Sequence, residues 1–319
     1  MMQPRLNQLQ HYDTATLAAQ ASADLLAPAA SVSPKFFYDA LGSRLFDAIT
    51  ELDEYYPTRT EAAIMAQHGT AITQAVHTRL GTAPCLIDLG AGNCAKATRL
   101  FPILQPARYV AVDISADYLR DALGTLQRDF PALDIIGLGL DFSARLELPA
   151  GLIEQPSLVL YPGSSIGNFD PEQALRLLTE ARAASGGGAL LIGVDLVKDT
   201  QRLVQAYDDP LGVTAAFNLN VLRHLNRLLD ADFQLREWQH LALFNSAHSR
   251  IEMHLVAKQA VCVTWNGGQR VFTEGERLHT ENSYKWRRAD FEALLRDAGY
   301  TQLQCWTDPN ADFAVLLAG

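Results

Sequence analysis

The sequence predicts an α/β protein in which a largely parallel sheet is covered by helices on both faces and is joined by a second, smaller α+β domain. Two observations lead to this prediction. Short, almost continuously apolar segments alternate with helical segments through the middle of the chain, which is typical of parallel sheets buried on both sides. Further along, a long helical stretch is followed by segments in which apolar and polar residues alternate, and this pattern indicates antiparallel strands.

The N-terminal quarter of the chain is predicted to be mainly helical. Residues up to about 33 are rich in alanine and glutamine and carry few bulky apolar side chains. Between residues 45 and 52, apolar side chains recur at three- and four-residue spacing, which predicts a short amphipathic helix. Pro57 is expected to interrupt that pattern, and a second helix is expected from about 61 to 78.

Strands and helices alternate between residues 83 and 196. The strands are predicted at 83–90, 107–115, 133–142, 156–165 and 188–196. The helices between them are predicted at 95–104, 116–128 and 171–184. The last helix begins with Asp170-Pro171-Glu172, an N-cap followed by a proline and an acid in the first turn. This alternation predicts a Rossmann-like sheet, with a ligand over the carboxyl ends of its strands.

The remaining third of the chain completes both domains. Residues 197–229 are predicted to be mostly helical, and 240–265 with 269–280 are predicted to form antiparallel strands. A final helix at 288–298 leads into two apolar segments that are expected to return to the sheet as a hairpin.

The prediction for the domains follows from this order. A Rossmann-like domain would comprise residues 61–196 and 287–319. The substrate-binding domain would comprise residues 1–60 and 197–286.

Composition supports a folded protein and narrows the class of partner. The chain has 319 residues, of which 48% are hydrophobic, and its 26 basic and 36 acidic residues give a formal charge of −10. This balance argues against nucleic acid or an anionic membrane as partner, because both need a cationic surface. The four scattered cysteines indicate free thiols. With no secretory signal pattern and no apolar segment long enough to cross a bilayer, a cytoplasmic monomer is expected.

The turn after the first predicted strand has the features of a site for an adenosine cofactor. Gly90 and Gly92 allow the backbone to turn tightly and to approach a ligand closely. Asp113 ends the second predicted strand, 23 residues after Gly90, where its carboxylate can accept both hydroxyls of a ribose.

Two adenosine cofactors fit this turn. The segment GAGNCA matches the dinucleotide pattern G-x-G-x-x-[GA], so NAD is one possibility. Three details favour S-adenosylmethionine. Asp88 precedes the first glycine by two residues and can meet the methionine portion, and Asp141 with Phe142 can hold and pack an adenine. Finally, only one alternating half precedes the change of pattern, whereas a dinucleotide usually needs two. A methyltransferase is therefore the better interpretation.

Several longer segments carry a resemblance to a known family. They are FFYD, EYYPTRTE, GSSIGNFDPE, DLVKD, AYDDPLGVTAAFNLNVL, RIEM and TENSYKW. Together they resemble the histidine-specific S-adenosylmethionine-dependent methyltransferases, which form trimethylhistidine (hercynine) in ergothioneine synthesis. The resemblance extends from about residue 33 to residue 319. It implies a class I methyltransferase fold, L-histidine as substrate, and S-adenosylhomocysteine as the product of the cofactor.

The resemblance also implies which residues hold the backbone atoms of the amino-acid substrate. Tyr38 and Tyr55 would line the substrate pocket, with Tyr38 also near the cofactor. The Tyr38 hydroxyl is the candidate catalytic group, since it could orient the amine or help to carry its proton away. Asn168 and Tyr207 would hold the carboxylate, and Asn168 would help to place the amine.

The side chain of the substrate would be recognised by a different segment. By the resemblance, Glu281 and Ser283 contact the imidazole and Met253 packs on its ring, while Asn282 stands where the family commonly has an aliphatic residue. Residues two apart on a strand face the same way, so Glu281 and Ser283 can converge on one ligand. A carboxylate and a hydroxyl can satisfy both ring nitrogens of an imidazole. A phenylalanine would leave them buried and unpaired, at a cost of about 1–3 kcal/mol.

For the cofactor, the resemblance covers a set of positions along the first three strands. They are Gly90, Lys96, Asp113, Asp141 and Phe142. The glycine turn itself departs from the family, because GAGNC stands here in place of a GSGTS-like sequence.

The sequence predicts no metal site. His248, Glu252 and His254 lie on one face of a predicted strand, but at about 3.3 Å per residue the two histidines would be roughly 20 Å apart. One ion at about 2.1 Å from each nitrogen cannot bridge them, and they are interpreted as surface residues.

The alternative functions that remain are a methyltransferase for another amino acid or small amine, an NAD-dependent oxidoreductase, and a non-catalytic ligand-binding protein.

Overall fold

The computed structural model describes residues 3–9 and 14–319, and the chain divides into two compact units. The first unit contains the N-terminal segment up to residue 10 together with residues 57–197 and 285–319. The second unit contains residues 11–56 and 198–284.

The strands and helices are numbered in chain order. The strands are β1 Arg5–Gln8, β2 Cys85–Leu89, β3 Arg108–Asp113, β4 Asp134–Gly139, β5 Leu158–Tyr161, β6 Ala189–Asp195, β7 Trp238–Asn245, β8 Arg250–Ala257, β9 Val261–Trp265, β10 Gly268–Phe272, β11 Arg277–Tyr284, β12 Leu303–Thr307 and β13 Phe313–Ala318. The α-helices are α1 Thr14–Leu26, α2 Ala40–Thr50, α3 Tyr56–Leu80, α4 Ala95–Thr98, α5 Phe101–Leu104, α6 Ala116–Asp129, α7 Pro171–Ala184, α8 Thr200–Gln205, α9 Val213–Leu229 and α10 Arg288–Asp297.

The first unit is built on one sheet of eight described strands, in the order β1-β4-β3-β2-β5-β6-β13-β12. The strands from β1 to β6 pair in parallel, and β13 and β12 pair antiparallel at one edge. The order reverses between β2 and β5, so the loops after these two strands diverge and leave a crevice at their carboxyl ends. The fold class predicted from the sequence is confirmed.

Apolar side chains cover both faces of this sheet. On β2, Ile87 and Leu89 belong to one buried cluster, whereas Leu86 belongs to the other. Successive side chains of a strand therefore pack into two separate cores, one on each face of the sheet. This explains why the strands are apolar almost throughout.

The second unit has its own core around the three-stranded antiparallel sheet β7-β8-β11 and the hairpin β9-β10. Helix α9 packs against this sheet through Phe217, Val221, Leu222 and Leu225, all of them buried. The predicted closing hairpin at 301–319 belongs to the first unit, as β12 and β13.

The structure differs from the predicted domain boundaries at the N-terminus, where residues 1–60 were assigned to the second domain. Strand Arg5–Gln8 instead pairs with β4 in the first unit, and Arg5 forms an ion pair of 2.6 Å with Asp134. The strand was missed because Leu6 is its only bulky apolar residue.

Two prolines explain the other differences. The helix predicted at 95–104 is split into α4 and α5, because Pro102 within one continuous helix would clash with the carbonyl of residue 98. Pro57 does not end a helix, as was expected, but lies in the first turn of α3, where its missing N–H costs nothing.

In the part of the chain that the structure describes, no helix combines the length and the apolar character that crossing a bilayer requires.

Candidate functional site

The glycine turn after β2 brings backbone amides and a carboxylate together. Gly90 and Gly92 have positive φ angles of 69° and 53°, a conformation that favours glycine. The Asp113 carboxylate at the end of β3 accepts the amide hydrogens of Gly92 and Ser115, each at 2.9 Å. These two bonds fix the orientation of Asp113 beside the turn.

The Asp113 carboxylate keeps acceptor capacity for a ligand. Burial raises its pKa, and the backbone amides that it accepts oppose that shift. An ionised carboxylate offers about four lone-pair directions, and the backbone amides of Gly92, Ser115 and Ile114 do not use all of them. The remaining capacity suits a ribose hydroxyl, at the position where the sequence predicts the ribose contact.

Asp88, which the sequence predicts to meet the methionine portion of the cofactor, is almost completely buried. One of its oxygens accepts the Tyr109 hydroxyl at 2.6 Å, and the other has no hydrogen-bond partner among the described residues. Burial raises the pKa of Asp88 to about 7, and the nearby Asp113 carboxylate adds to that shift. A buried acceptor without a donor is costly unless a ligand supplies one, which fits the ammonium group of S-adenosylmethionine.

Glu61 is a residue of this region that sequence reasoning missed. It is buried, and its carboxylate accepts Lys96 Nζ at 3.0 Å and the amide of Gly163 at 2.8 Å. Gly193 provides the space, since a Cβ there would collide with the carboxylate. The segment EYYPTRTE marks this glutamate, but helical position alone cannot distinguish a buried glutamate from a solvated one.

The charges around the turn favour a cationic ligand group. Glu61 and Asp113 both act electrostatically on Asp88, and Lys96 is the cation among the groups that act on it. A dinucleotide would bring its negatively charged pyrophosphate to these carboxylates, whereas S-adenosylmethionine carries a sulfonium and an ammonium. The electrostatics therefore support S-adenosylmethionine over NAD.

Asp141 and Phe142 follow β4 next to this turn. Asp141 is buried, and one of its oxygens accepts both the amide and the hydroxyl of Ser143. The Phe142 ring packs edge-on against Tyr161, with 5.8 Å between ring centroids, and its tip lies 3.8 Å from where a Cβ on Gly90 would be. The pair thus lies beside the glycine turn, where the sequence predicts adenine contacts.

Asn168 lies after β5 in the same unit. It ends a short 3₁₀ turn at Ser165–Asn168, just before the capping box of Asp170 and Gln173 that opens α7. The turn is anchored through Ser164, whose hydroxyl oxygen accepts the amide hydrogen of Asp195 at 2.8 Å. Asn168 is half-buried at the carboxyl end of a central strand, where ligands of α/β sheets bind.

We expect Asp113→Ala to weaken the binding of S-adenosylmethionine by about tenfold or more, because it removes charge-assisted bonds to the ribose. Isothermal titration calorimetry measures this affinity, and Asp121→Ala on the exposed face of α6 is the matched control. An unchanged affinity in a folded Asp113 variant would reject the ribose contact.

Asp88→Asn tests the buried carboxylate through pH. The pKa of Asp88 in the folded protein, about 7, lies above the ordinary value of 3.8, so folding stability falls as pH rises between these values. The asparagine cannot ionise and still accepts the Tyr109 hydroxyl. Without cofactor, we expect the variant to be more stable than wild type at about pH 8, by on the order of 2 kcal/mol, and to lose that advantage near pH 5. Thermal unfolding at the two pH values measures the difference, and an equal difference at both would contradict the assignment.

The second unit collects the aromatic residues that the sequence predicts for the substrate. Tyr38 packs edge-on against Phe46 at 5.9 Å, Phe46 against Tyr55 at 6.1 Å, and Tyr55 against Tyr207 at 6.3 Å, measured between ring centroids. Phe46 was recognised only as part of a helix face, and the structure places it between two predicted site residues.

This aromatic row ends at the strand that carries the predicted imidazole contacts. The Tyr207 hydroxyl donates to the hydroxyl oxygen of Ser283 at 2.7 Å. On β11, Glu281 lies opposite Met253 of β8, and cross-strand partners share one face of a sheet. The structure therefore brings Tyr207, Ser283, Glu281 and Met253 together. It pairs Tyr207 with an imidazole contact, whereas the sequence predicts a role with the carboxylate.

The interpretation of Glu252 and His254 as surface residues was wrong. Both are buried, and His254 Nε2 lies 3.2 Å from one Glu252 oxygen, while the other Glu252 oxygen accepts Arg250. His248 is exposed, in the turn before β8. Within residues 3–9 and 14–319, no three His, Cys, Asp or Glu side chains gather as ligands of a metal would.

Comparison with known proteins gives matches over nearly the whole chain. The family model for histidine-specific, S-adenosylmethionine-dependent methyltransferases matches residues 17–319. A histidine N-alpha-methyltransferase of Mycolicibacterium smegmatis is 42% identical over 97% of this chain and 98% of its own length. The protein of the same name from Mycobacterium tuberculosis is 40% identical over 90% of each chain. Ergothioneine biosynthesis protein 1 of Neurospora crassa is 29% identical over 88% of this chain, which corresponds to 32% of its own length.

Proposed function

The chain belongs to the histidine-specific, S-adenosylmethionine-dependent methyltransferase family, and we propose that it methylates the α-amino nitrogen of L-histidine three times, giving hercynine for ergothioneine synthesis. The single observation that carries this substrate is the placement of Glu281 and Ser283 on one face of β11, with Glu281 opposite Met253 and Ser283 bonded to Tyr207. The chain is an S-adenosylmethionine-dependent methyltransferase, and the NAD alternative is set aside.

The imidazole is recognised by a carboxylate and a hydroxyl. Glu281 accepts a ring N–H, and Ser283 serves the other ring nitrogen as donor or acceptor, whichever tautomer is bound. The Ser283 oxygen accepts the Tyr207 hydroxyl at 2.7 Å, which fixes this side chain on the recognition face. Met253 supplies an apolar, polarisable surface for the ring.

The backbone groups of histidine take the remaining family positions. Tyr207 and Asn168 hold the carboxylate, and Asn168 also places the amine. Tyr38 and Tyr55 line the pocket, supported by the Phe46 ring that packs against both.

The first unit holds the cofactor through the residues around the glycine turn. Asp113 binds the ribose, Asp141 and Phe142 hold the adenine, and Asp88 with Glu61 and Lys96 surrounds the methionine portion. When bound, S-adenosylmethionine supplies an electrophilic methyl carbon whose leaving sulfur departs neutral as S-adenosylhomocysteine. Because that leaving group needs no proton and no Lewis acid, the proposal includes no metal.

The protein's task in the reaction is to present an amine with a free lone pair. The α-ammonium of histidine must lose a proton before each transfer, and burial disfavours its charged form. The Tyr38 hydroxyl orients the amine and helps to carry the proton away. Positioning of the reacting atoms at about 3–3.5 Å then supplies much of the rate.

We further propose a cytoplasmic monomer. All four cysteines lie in the described ranges and are free thiols, which suits a reducing compartment. Burial raises the pKa of Cys94, beside the glycine turn, to about 12, so this thiol stays protonated and unreactive at neutral pH.

Turnover with isotopically labelled S-adenosylmethionine and each free amino acid in turn tests the proposal. Histidine is expected to accept label far faster than any other amino acid, and mass spectrometry is expected to detect three added methyl groups. Faster labelling of another amino acid or amine would replace histidine as substrate, and no labelling of any would support a binding protein.

A further inference from the structure

A β-bulge determines which face of β11 carries the imidazole contacts. Leu278 pairs with Leu255 of β8, and Glu281 pairs with Met253, so Thr280 is an extra residue between two regular registers. Since cross-strand partners share a face, Leu278, Glu281 and Ser283 all lie on the face of β8 that carries Met253. Without the extra residue, strict alternation would place Thr280 and Asn282 there, and Glu281 and Ser283 on the opposite face.

The bulge is held by side chains on both sides. The Thr280 hydroxyl donates to the carbonyl oxygen of Met253 at 3.0 Å. His279 and Asn282, which flank the bulge, are joined by a hydrogen bond of 2.9 Å between His279 Nε2 and Asn282 Oδ1. The backbone of His279 is also fixed, because its amide donates to the carbonyl of Ala30 at 3.0 Å.

The opposite face of the sheet makes a shift of register costly. There Asn282 lies opposite Glu252, whose carboxylate accepts Arg250, and His254 packs edge-on against His279 at 5.2 Å. A one-residue slip would turn Glu281 toward the buried Glu252 carboxylate, so two acids would compete for one arginine.

We propose that His279 and Asn282 are positioning residues for substrate recognition: the hydrogen bond between them holds the bulge at Thr280 and so directs Glu281 and Ser283 toward the imidazole of the substrate. This inference rests on the proposed function. Neither residue touches the substrate. They affect recognition by fixing which face of β11 carries Glu281 and Ser283.

The state of the His279 ring agrees with this arrangement. Burial lowers the pKa of His279, so the ring is neutral at pH 7. Because the Asn282 oxygen can only accept, the bond across the bulge requires the ring hydrogen on Nε2.

Two amide substitutions at His279, which differ in the length of the side chain, test the proposal. His279→Gln places an amide nitrogen close to the position of Nε2 and keeps the donor, whereas the shorter His279→Asn cannot reach Asn282. We expect the KM for histidine to stay within about twofold of wild type in the glutamine variant and to rise about tenfold in the asparagine variant. The affinity for S-adenosylmethionine should not change in either. Asn282→Ala, which removes the acceptor instead, should resemble His279→Asn, and exposed His248→Asn is the control.

The possible outcomes distinguish a failure of this inference from a failure of the proposed function. An unchanged KM in both His279→Asn and Asn282→Ala overturns the inference and leaves the proposed function standing. An equal rise in the glutamine and asparagine variants also overturns it, since a general loss of packing would act on both. A wild-type enzyme that does not methylate histidine overturns the proposed function and, with it, the inference.

Discussion

Glu281→Ala is expected to lower kcat/KM for histidine by roughly a hundredfold. The substitution removes the acceptor for an imidazole N–H that is desolvated on binding, and a buried donor without a partner costs about 1–3 kcal/mol, more when its partner was charged. The affinity for S-adenosylmethionine should remain at the wild-type value, because Glu281 belongs to the second unit and the cofactor residues to the first. Glu281→Gln keeps one acceptor and should lose less.

Steady-state kinetics with varied histidine, together with calorimetry for the cofactor, measure the two effects separately. Glu274→Ala changes an exposed glutamate in the turn before β11 and is the matched control. Wild-type kcat/KM in the Glu281→Ala variant would remove the imidazole assignment.

Lys285→Met is expected to reduce the free energy of unfolding by about 3–5 kcal/mol, the usual cost of leaving one buried charge without its partner. Lys285 Nζ lies 2.8 Å from Asp195 Oδ2, and the two side chains are 0% and 1% exposed. The pair stands where β6 ends and the chain re-enters the first unit, next to the backbone bond from the amide of Val197 to the carbonyl of Trp286. Methionine fills the space of the lysine chain but removes the positive charge beside the buried aspartate.

Urea denaturation of the variants tests this ion pair. Lys258→Met, at an exposed lysine, should change stability little. The double variant Asp195→Leu with Lys285→Met should recover part of the loss, because both members of the ion pair are replaced by apolar side chains. Equal stability of Lys285→Met and wild type would show that the pair contributes nothing, against this account.

Strands with continuous apolar runs could be predicted from sequence because burial on both faces leaves a strong pattern. Val213–Leu229 likewise shows its helical period plainly. Strand Arg5–Gln8 could not be predicted, since backbone pairing to β4 holds it and only Leu6 contributes apolar packing. The same limit applies to Glu61, whose burial depends on Gly163 and Gly193, both distant in sequence.

The candidate site shows a subtler limit. Spacing alone predicts that Glu281 and Ser283 share a face, but the bulge at Thr280 decides which face that is, and alternation does not reveal it. His254 shows the converse error. It shares a strand face with other polar residues, and a polar face was interpreted as an exposed one. In the structure this face is buried, and its side chains are joined by hydrogen bonds.

The central claim is that the labelled methyl groups arrive on the α-amino nitrogen of histidine while Glu281 and Ser283 hold the ring. Nuclear magnetic resonance of the product formed from ¹³C-methyl S-adenosylmethionine and L-histidine tests it most directly. We predict one signal from equivalent methyl groups, with a long-range correlation between their hydrogens and the α-carbon, and no methyl group on either ring nitrogen. Label on a ring nitrogen would contradict it.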